Sequence, residues 1–219
     1  MELSEFFPMW DQLSAGQQRR IRESVFRRRV AAGELIHDGS MDCTGLLLVE
    51  SGQLRAFILS EEGREISIYR LFERDVCLFS ASCMLRSIQF AVSIEAERDS
   101  SVLVIPAEIF RRLMEESAPL ANFANELMAS RFSDVMWLIE QILWKSVDKR
   151  LAAFLLEEAA LSGDGTLRLT HEQIARHLGT AREVVTRMLR YFSGEGMVSL
   201  SRGSLRLLDE KRLAALAEA

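Results

Sequence analysis

The spacing of hydrophobic and polar positions changes along the chain and divides it into stretches of different structure. Residues 26–106 contain short apolar or alternating runs separated by glycines, among them 46–49, 54–59 and 101–105. Such runs, with turn residues between them at regular intervals, are typical of antiparallel strands in a barrel or jelly roll. Ahead of these runs, Ser14 is a suitable N-cap for a short entry helix.

Helical spacing replaces the strand pattern after Pro106. Residues 107–116 predict a short helix, and a longer helical pattern continues from Pro119 to about Lys145. Spacings of four and three within it are typical of a coiled-coil seam, which consists of Ala124, Met128, Arg131, Val135, Leu138 and Ile142. We therefore predict a dimer interface along this seam. Packing of the helix on its own barrel is the alternative, and other apolar residues of the helix would allow it to do both.

Residues 170–190 carry the pattern of a helix-turn-helix. Thr170 is an N-cap with Gln173 placed to complete a capping box, and Gly179 allows the left-handed backbone of a tight turn. Thr180 is a candidate cap for the second helix. The apolar positions predict the buried side of the motif and are Ile174, Ala175, Leu178, Val184, Val185, Met188 and Leu189. Residues 197–208, with Arg202-Gly203 in the middle, predict a β-hairpin that would form a wing.

The second helix of this motif has a polar face that is suited to reading DNA. Its side chains are Arg182, Glu183, Thr186, Arg187 and Arg190. Arginine can bind guanine with two hydrogen bonds, glutamate can accept from cytosine, and threonine can meet a thymine methyl group or a phosphate. We expect these residues, together with Thr170, to bind DNA in the major groove. A solvated helix face with ordinary ion pairs, such as Glu183 with Arg187, is the alternative.

The net charge of −5 does not exclude DNA as a partner. Residues from Asp148 onward contain 11 basic and 10 acidic side chains, out of 27 and 32 in the whole chain, which leaves 16 and 22 before them. DNA affinity depends on where the cations lie and not on the total. An acidic sensor joined to a locally basic DNA-binding part fits this distribution.

The barrel, the long helix and the motif Leu-Thr-x-Glu-x-Ile-Ala-x-x-Leu-Gly-x-x-Arg-Glu-x-x-x-Arg at 169–187 together resemble the Crp/Fnr family of bacterial transcription regulators. The resemblance covers essentially the whole chain. It implies an α+β fold with an antiparallel β-barrel sensor of the jelly-roll, cyclic-nucleotide-binding type at 1–116. A dimerisation helix at 117–146 and a winged helix-turn-helix at 147–219 would follow.

The resemblance also implies how the protein acts. Members of the family are homodimers that bind palindromic operators and recruit RNA polymerase, some as activators and some as repressors. In this chain Arg182, Glu183 and Arg187 match the positions that read bases, and the half-sites would contain a TGA-like core. A signal sensed in the barrel would control DNA binding, and a constitutive DNA-binding regulator with a purely structural barrel is the alternative.

The sensor departs from relatives that bind cyclic nucleotides. Those relatives carry a phosphate cassette with Gly-Glu before a loop and Arg-Ser/Thr-Ala after it. The comparable stretch at 74–85 lacks Gly-Glu, and Phe90-Ala91 occupies the Arg-Ser positions. An anionic cyclic phosphate would lose its charge-assisted partners here, so we do not expect cyclic AMP. The apolar residues of this region predict an uncharged or aromatic effector, or haem, and are Leu78, Phe79, Met84, Leu85 and Phe90.

Cysteines and histidines predict no metal site. The chain has three cysteines, Cys43, Cys77 and Cys83, so it cannot hold a four-cysteine iron–sulfur cluster alone. We expect Cys77 and Cys83 to be buried structural residues, with a redox pair as the alternative. His37 is a candidate haem ligand, but a lone histidine is more often a surface or hydrogen-bonded residue. His171 and His177 are six residues apart and do not share a helix face.

Two further classes of protein are disfavoured by the sequence. A barrel enzyme of the cupin type needs several histidine and carboxylate ligands on its strands, whereas His37 is the one histidine of the barrel region. No nucleophile–base pattern replaces them, so no catalytic residue is predicted. No apolar run approaches the roughly 20 residues that span a bilayer, and no signal peptide is recognisable at the N-terminus. We therefore expect a cytoplasmic protein with no membrane partner.

Overall fold

The computed structural model describes residues 2–39, 44–84, 91–163 and 165–218. The chain folds into two compact units. The first unit comprises residues 1–59 and 68–136. The second unit comprises residues 60–67 and 137–219, so a short segment from early in the chain belongs to it.

The first unit is built on two four-stranded sheets whose described pairings are antiparallel. One sheet has the order β1 (Phe26–Val30), β8 (Ser100–Ile105), β3 (Leu46–Ser51) and β6 (Val76–Cys77). The other has the order β2 (Leu35–Asp38), β7 (Ser93–Ala96), β4 (Leu54–Leu59) and β5 (Glu65–Leu71), and the first three residues of β5 belong to the second unit. The antiparallel sheets predicted from the alternating pattern are therefore confirmed.

Helical segments pack against the sheet that contains β3, β6 and β8. Two short 3₁₀ turns, at Leu3–Glu5 and Trp10–Gln12, precede α1 (Ala15–Ser24). Ser14 caps α1, because its hydroxyl accepts from the Gln17 amide at 3.3 Å and the Gln17 side chain accepts in return. A further 3₁₀ segment, Phe79–Met84, follows β6. The predicted helix 107–116 is confirmed as α2 (Ala107–Glu116).

The long helix α3 (Ala118–Trp144) starts in the core of the first unit. Pro119 lies in its first turn, where a missing amide proton costs nothing. Leu120 and Ala124 are buried with Phe7, Phe110 and other apolar side chains of this core. The N-terminal part of α3 is therefore held by its own chain.

The second unit is a winged helix-turn-helix, as predicted. Its elements are α4 (Val147–Ser162), β9 (Thr166–Leu167), α5 (His171–Leu178), α6 (Arg182–Gly194), β10 (Val198–Ser201), β11 (Ser204–Leu207) and α7 (Glu210–Glu218). The hairpin β10–β11 forms the wing, and β9 adds to it in the order β10, β11, β9. Across the described ranges, no helix combines the length and apolar character needed to cross a membrane.

The ends of α5 follow the predicted chemistry, but the start of α6 does not. The Thr170 hydroxyl accepts from the Gln173 amide at 3.1 Å, and the Gln173 side chain accepts from the Thr170 amide at 2.8 Å. The prediction that Thr180 caps α6 is wrong, because the N-cap is Ala181 and it makes no side-chain hydrogen bond. The Thr180 amide donates instead to the Ala175 carbonyl at 3.1 Å, so Thr180 completes the end of α5.

The turn after α5 leaves no room for a side chain. Gly179 has φ +63°, and a Cβ there would lie 2.8 Å from Ile66 Cδ1 and 3.1 Å from Ile66 Cβ. Ile66 belongs to the 60–67 segment of the same unit. Gly163, at the end of α4, has nearly the same φ of +65° but open space around it. Substituting alanine at each of the two glycines therefore distinguishes the energetic cost of the left-handed backbone from the cost of the clash with Ile66.

We expect Gly179→Ala to lower the free energy of unfolding more than Gly163→Ala. The left-handed backbone should cost about 1–2 kcal/mol in each variant, since both positions have the same conformation. The clash with Ile66 adds to this only at Gly179. Urea unfolding of the two variants measures the difference, and equal losses would show that Ile66 does not pack on the turn.

Candidate DNA-binding site and sensor region

The helix-turn-helix buries the apolar side that the sequence predicts. Ile174, Ala175 and Leu178 on α5 and Val185 and Leu189 on α6 lie in the core of the second unit. Val184 and Met188 are half-buried at its border. Because this side of α6 is fixed inward, the polar face of the helix is turned outward.

Four predicted DNA-binding residues on that face are exposed: Arg182, Glu183, Arg187 and Arg190. Within the part of the chain that the structure describes, none of these four side chains forms an ion pair. The alternative interpretation, in which Glu183 and Arg187 pair along the helix, therefore does not describe this surface. Three guanidinium groups and one carboxylate are exposed on this face.

A cleft of about 490 Å³ lies beside this surface, between the wing and the N-terminal ends of α5 and α6. It is lined by Leu169, Thr170, His171, Glu172, Arg182, Ser201, Gly203, Ser204 and Leu205. Thr170 is exposed at its edge, but its hydroxyl also donates to Gln173 Oε1 at 3.0 Å. Thr170 therefore serves the capping box, and its hydroxyl proton is already used.

His171 is a residue of this site that the sequence pattern does not reveal, because the pattern places it only among candidate metal ligands. Its Nδ1 lies 2.8 Å from the Thr186 hydroxyl, and that hydroxyl lies 2.9 Å from the Arg182 carbonyl oxygen. Burial lowers the pKa of His171, and the charges of Arg182 and Arg190 lower it further. No spacing rule within one helix could reveal a contact between the first residue of α5 and the middle of α6.

His177 has other partners in the second unit. Its Nδ1 lies 2.9 Å from the Ser67 hydroxyl, and its ring stacks on Phe154 with 5.1 Å between ring centroids. Arg150 on α4 donates to the Leu178 carbonyl at 2.9 Å, and burial lowers the pKa of this guanidinium. The end of α5 is thus held from both α4 and the 60–67 segment.

The predicted effector-binding residues are only partly described. Leu78 and Phe79 are buried, and the Phe79 ring lies 5.9 Å from the ring of Tyr69. Met84 ends the 3₁₀ segment, but its side chain lies outside the described part, as do Leu85 and Phe90 entirely. The Arg131 guanidinium lies 4.5 Å from the Tyr69 ring centroid and donates to Asp134 at 2.8 Å.

Cys77 is a buried free thiol next to this aromatic pair. Its Sγ lies 4.0 Å from the Tyr69 hydroxyl. Burial raises the pKa of the Cys77 thiol and, more strongly, that of Tyr69. The prediction of a buried Cys77 is confirmed, whereas Cys43 and the Cys83 side chain, and with them the alternative of a Cys77–Cys83 redox pair, lie outside the described residues.

His37, the candidate haem ligand, lies on β2 and is 5% exposed. Burial lowers the pKa of its imidazole, and the neighbouring Asp38 opposes this shift. Across the described ranges, no three histidine, cysteine or carboxylate side chains are grouped as they would be to hold a metal ion.

The predicted dimer seam is covered in its first half by the chain itself. Ala124 is only 5% exposed in the core of the first unit, and Met128 packs against that core. Arg131 is occupied with Asp134 and Tyr69. Ala124 is therefore covered by its own chain, and its place in a dimer interface stays a prediction. Val135 and Leu138 are half-buried, and Ile142 is exposed.

A second apolar stripe lies one position further along α3. Its members are Phe132, Met136, Ile139 and Leu143, all exposed, with Phe132 at 65% and Leu143 at 68%. Their spacing of four, three and four residues matches that of the predicted seam. Trp137 and Trp144 are also exposed. The 4-3 pattern thus occurs twice on this helix: the first stripe is covered by its own chain only near the start of α3, and the second is exposed from Phe132 to Leu143.

Comparisons with known proteins match both units. The Crp-like helix-turn-helix domain matches residues 149–216, and the cyclic nucleotide-binding domain matches residues 27–117. A crystal structure of a transcriptional regulator of the Crp/Fnr family from Eubacterium rectale is 60% identical, with a TM-score of 0.96. That match covers 98% of this chain and 99% of the other.

Two curated relatives are more distant. The transcriptional activator protein anr of Pseudomonas aeruginosa is 26% identical over 198 residues, which cover 87% of this chain and 80% of the relative. The cyclic AMP receptor protein of Thermus thermophilus is also 26% identical, over 89% of this chain and 88% of the relative. The likeness to transcription regulators therefore extends over most of the chain.

We expect Cys77 in the folded protein to react with a thiol reagent roughly an order of magnitude more slowly, or slower still, than in the unfolded chain. Burial excludes the reagent and disfavours the thiolate that would attack it. Peptide mass mapping after timed labelling follows Cys77 separately from the other two cysteines, and the chain in urea is the control. Equal rates in the two states would favour the redox interpretation of this residue.

Proposed function

Because the chain belongs to the Crp/Fnr family of transcription regulators, we propose that it binds a palindromic operator as a homodimer and responds to a small molecule in its first unit. The chain is a transcription regulator with a DNA-binding helix-turn-helix, and its relatives are regulators rather than enzymes. One observation carries the proposal: α6 presents Arg182, Glu183 and Arg187 exposed and, among the described residues, without ion pairs on a helix whose other side is buried.

Base readout follows from the chemistry of these side chains. The Arg187 guanidinium fits the two acceptors on the major-groove edge of guanine, and the Glu183 carboxylate fits the amino group of cytosine. Arg182 lines the cleft beside the wing, where a phosphate of the DNA backbone would find both a cation and the N-terminal end of α6. The family resemblance adds the expectation of a TGA-like core in each half-site.

A second copy of the chain would cover the exposed stripe of α3. Burying an aliphatic or aromatic side chain of this size is worth about 1.5–3 kcal/mol, so four of them in one row favour association. A two-fold dimer also matches the two-fold symmetry of a palindrome. RNA polymerase is the further partner that the family resemblance implies.

The charges of the first unit support an uncharged or aromatic effector rather than cyclic AMP. The buried Arg55 is paired with Glu95 at 3.4 Å, and Arg70 is paired with Glu97 at 3.1 Å. Arg74, in the stretch that matches the phosphate cassette, lies at the surface and pairs with Glu5 at 3.3 Å. To bind any of these three arginines a phosphate would have to displace a carboxylate, and Arg86, which follows this stretch, lies outside the described residues. The buried Leu78 and Phe79 lie in the region proposed for the effector.

The first test is the selection of bound sequences from random duplex DNA, followed by an affinity measurement on the selected operator. We expect a palindrome, and Arg187→Ala should weaken binding to it by about 1–3 kcal/mol and relax the preference at one base pair per half-site. Arg19→Ala, on the exposed surface of α1, is the control and should bind as the wild type does. An equal loss on operator and random DNA in Arg187→Ala would contradict base readout.

The second test concerns the dimer. Ile139→Asp places a charge in the exposed stripe and should yield a monomer that binds the operator weakly, because a charge without a partner is costly to bury. Asn125→Asp makes the same change of charge on an exposed position of α3 outside the stripe and should leave the dimer intact. Sedimentation gives the mass of each variant. An unchanged mass for Ile139→Asp would place the interface elsewhere.

A further inference from the structure

The hydroxyl group of Thr186 has two partners inside the protein. It lies 2.9 Å from the carbonyl oxygen of Arg182, one turn earlier on α6, and 2.8 Å from Nδ1 of His171 on α5. Thr186 is half-buried between these groups, in the middle of the polar face that is proposed to meet DNA. The direction of each hydrogen bond decides what Thr186 has left for an outside partner.

The number of protons available gives the direction of both hydrogen bonds of the Thr186 hydroxyl. A carbonyl oxygen can only accept, so the one proton of the Thr186 hydroxyl is donated to Arg182. The hydroxyl can then only accept from His171, which requires that Nδ1 of the imidazole carries a proton. The lowered pKa of His171 favours the neutral ring, in which Nδ1–H donates and Nε2 is an acceptor.

We propose that His171 determines specificity by holding the Thr186 hydroxyl inward, so that Thr186 reads the 5-methyl group of a thymine through its own methyl group. This proposal rests on the proposed function, since it concerns the same DNA surface. With its proton donated to Arg182 and one lone pair occupied by His171, Thr186 has no donor for a base or a phosphate. The hydroxyl keeps one lone pair, which can accept but cannot donate to the O4 acceptor of thymine, so the recognition of thymine is assigned to the methyl group.

The arrangement has a physical advantage over a free threonine. A threonine on a helix can rotate between two side-chain positions, and each would present a different group to the DNA. Rotation of Thr186 would break two hydrogen bonds at once and leave the Nδ1–H of a half-buried imidazole without a partner. His171 therefore fixes one rotamer before DNA binds, and the neighbouring Arg187 remains available for hydrogen bonding to a base.

The test uses the operator found by selection and the same operator with single thymines replaced by deoxyuridine, which removes only the 5-methyl group. With the wild-type dimer we expect one thymine per half-site at which deoxyuridine weakens binding about fourfold, the value for burying one methyl-sized group. The quantity compared between variants is the affinity ratio of thymine to deoxyuridine operator at that position, because a loss of stability alone does not change it.

Two substitutions of Thr186 separate its methyl group from its hydroxyl. Thr186→Val keeps the methyl group and the branched shape, so the ratio should stay near fourfold. Thr186→Ser keeps the hydroxyl and loses the methyl group, so the ratio should fall to about one. The opposite result, with the ratio kept by serine and lost by valine, would show that the hydroxyl reads the base and would overturn the proposal.

Two substitutions of His171 separate its ring nitrogens. Asparagine can place an amide donor where Nδ1 lies, so His171→Asn should keep the ratio. Glutamine reaches the position of Nε2 and leaves Thr186 without its partner, so His171→Gln should lower the ratio even where the protein folds normally. Arg19→Gln, on the exposed surface of α1, is the control and should leave the ratio unchanged.

Failure of the two proposals can be told apart. If the wild-type dimer selects no operator, the proposed function fails and this inference fails with it. If it selects an operator but no thymine in it is sensitive to deoxyuridine, the DNA-binding function stands and the role of Thr186 is refuted. If His171→Gln leaves the ratio unchanged, Thr186 reads thymine without the help of His171, which also overturns the proposal.

Discussion

The direction of the chain at the end of α5 is the constraint on which the DNA-binding surface depends. The last carbonyls of any helix lack partners within the helix, and here two different groups supply them. The Arg150 side chain donates to Leu178, and the Thr180 amide reaches back to Ala175 across the left-handed Gly179. These contacts fix where α5 ends, and α6 can then bury Val185 and Leu189 while its arginines face outward.

Helix α3 is subject to a different constraint, because it packs against the core of the first unit and also carries an exposed apolar stripe. Its first turns complete the core of the first unit through Leu120 and Ala124. Further along, Phe132 and Leu143 are exposed on a neighbouring stripe. Since a helix presents several stripes around its circumference, it can pack on its own barrel and still offer a separate apolar surface to a second copy.

Local patterns in the sequence predicted much of this structure, but they could not predict contacts between residues that are far apart in the chain. Capping boxes and helical spacing are local, which is why α1, α2 and α5 begin where Ser14, Pro106 and Thr170 indicate. Spacing shows that two stripes of α3 are apolar but not what covers them, so the position of the dimer interface stays a prediction. The hydrogen bond between His171 and Thr186 depends on how α5 crosses α6, which no single-helix pattern contains.

The 60–67 segment gives the second unit a particular order of assembly. Ser67 and His177 are separated by 110 residues in the chain, yet they form one hydrogen bond, and Ile66 packs on the Gly179 turn. A contact between such distant residues requires a large loop to close, which costs entropy and slows folding. During synthesis on the ribosome, residues 60–67 emerge long before α5 exists. The core of the DNA-binding unit consists of residues from 151 onward, whereas the contacts of its Gly179 turn and of His177 with residues 60–67 form only after the chain returns to a segment made much earlier.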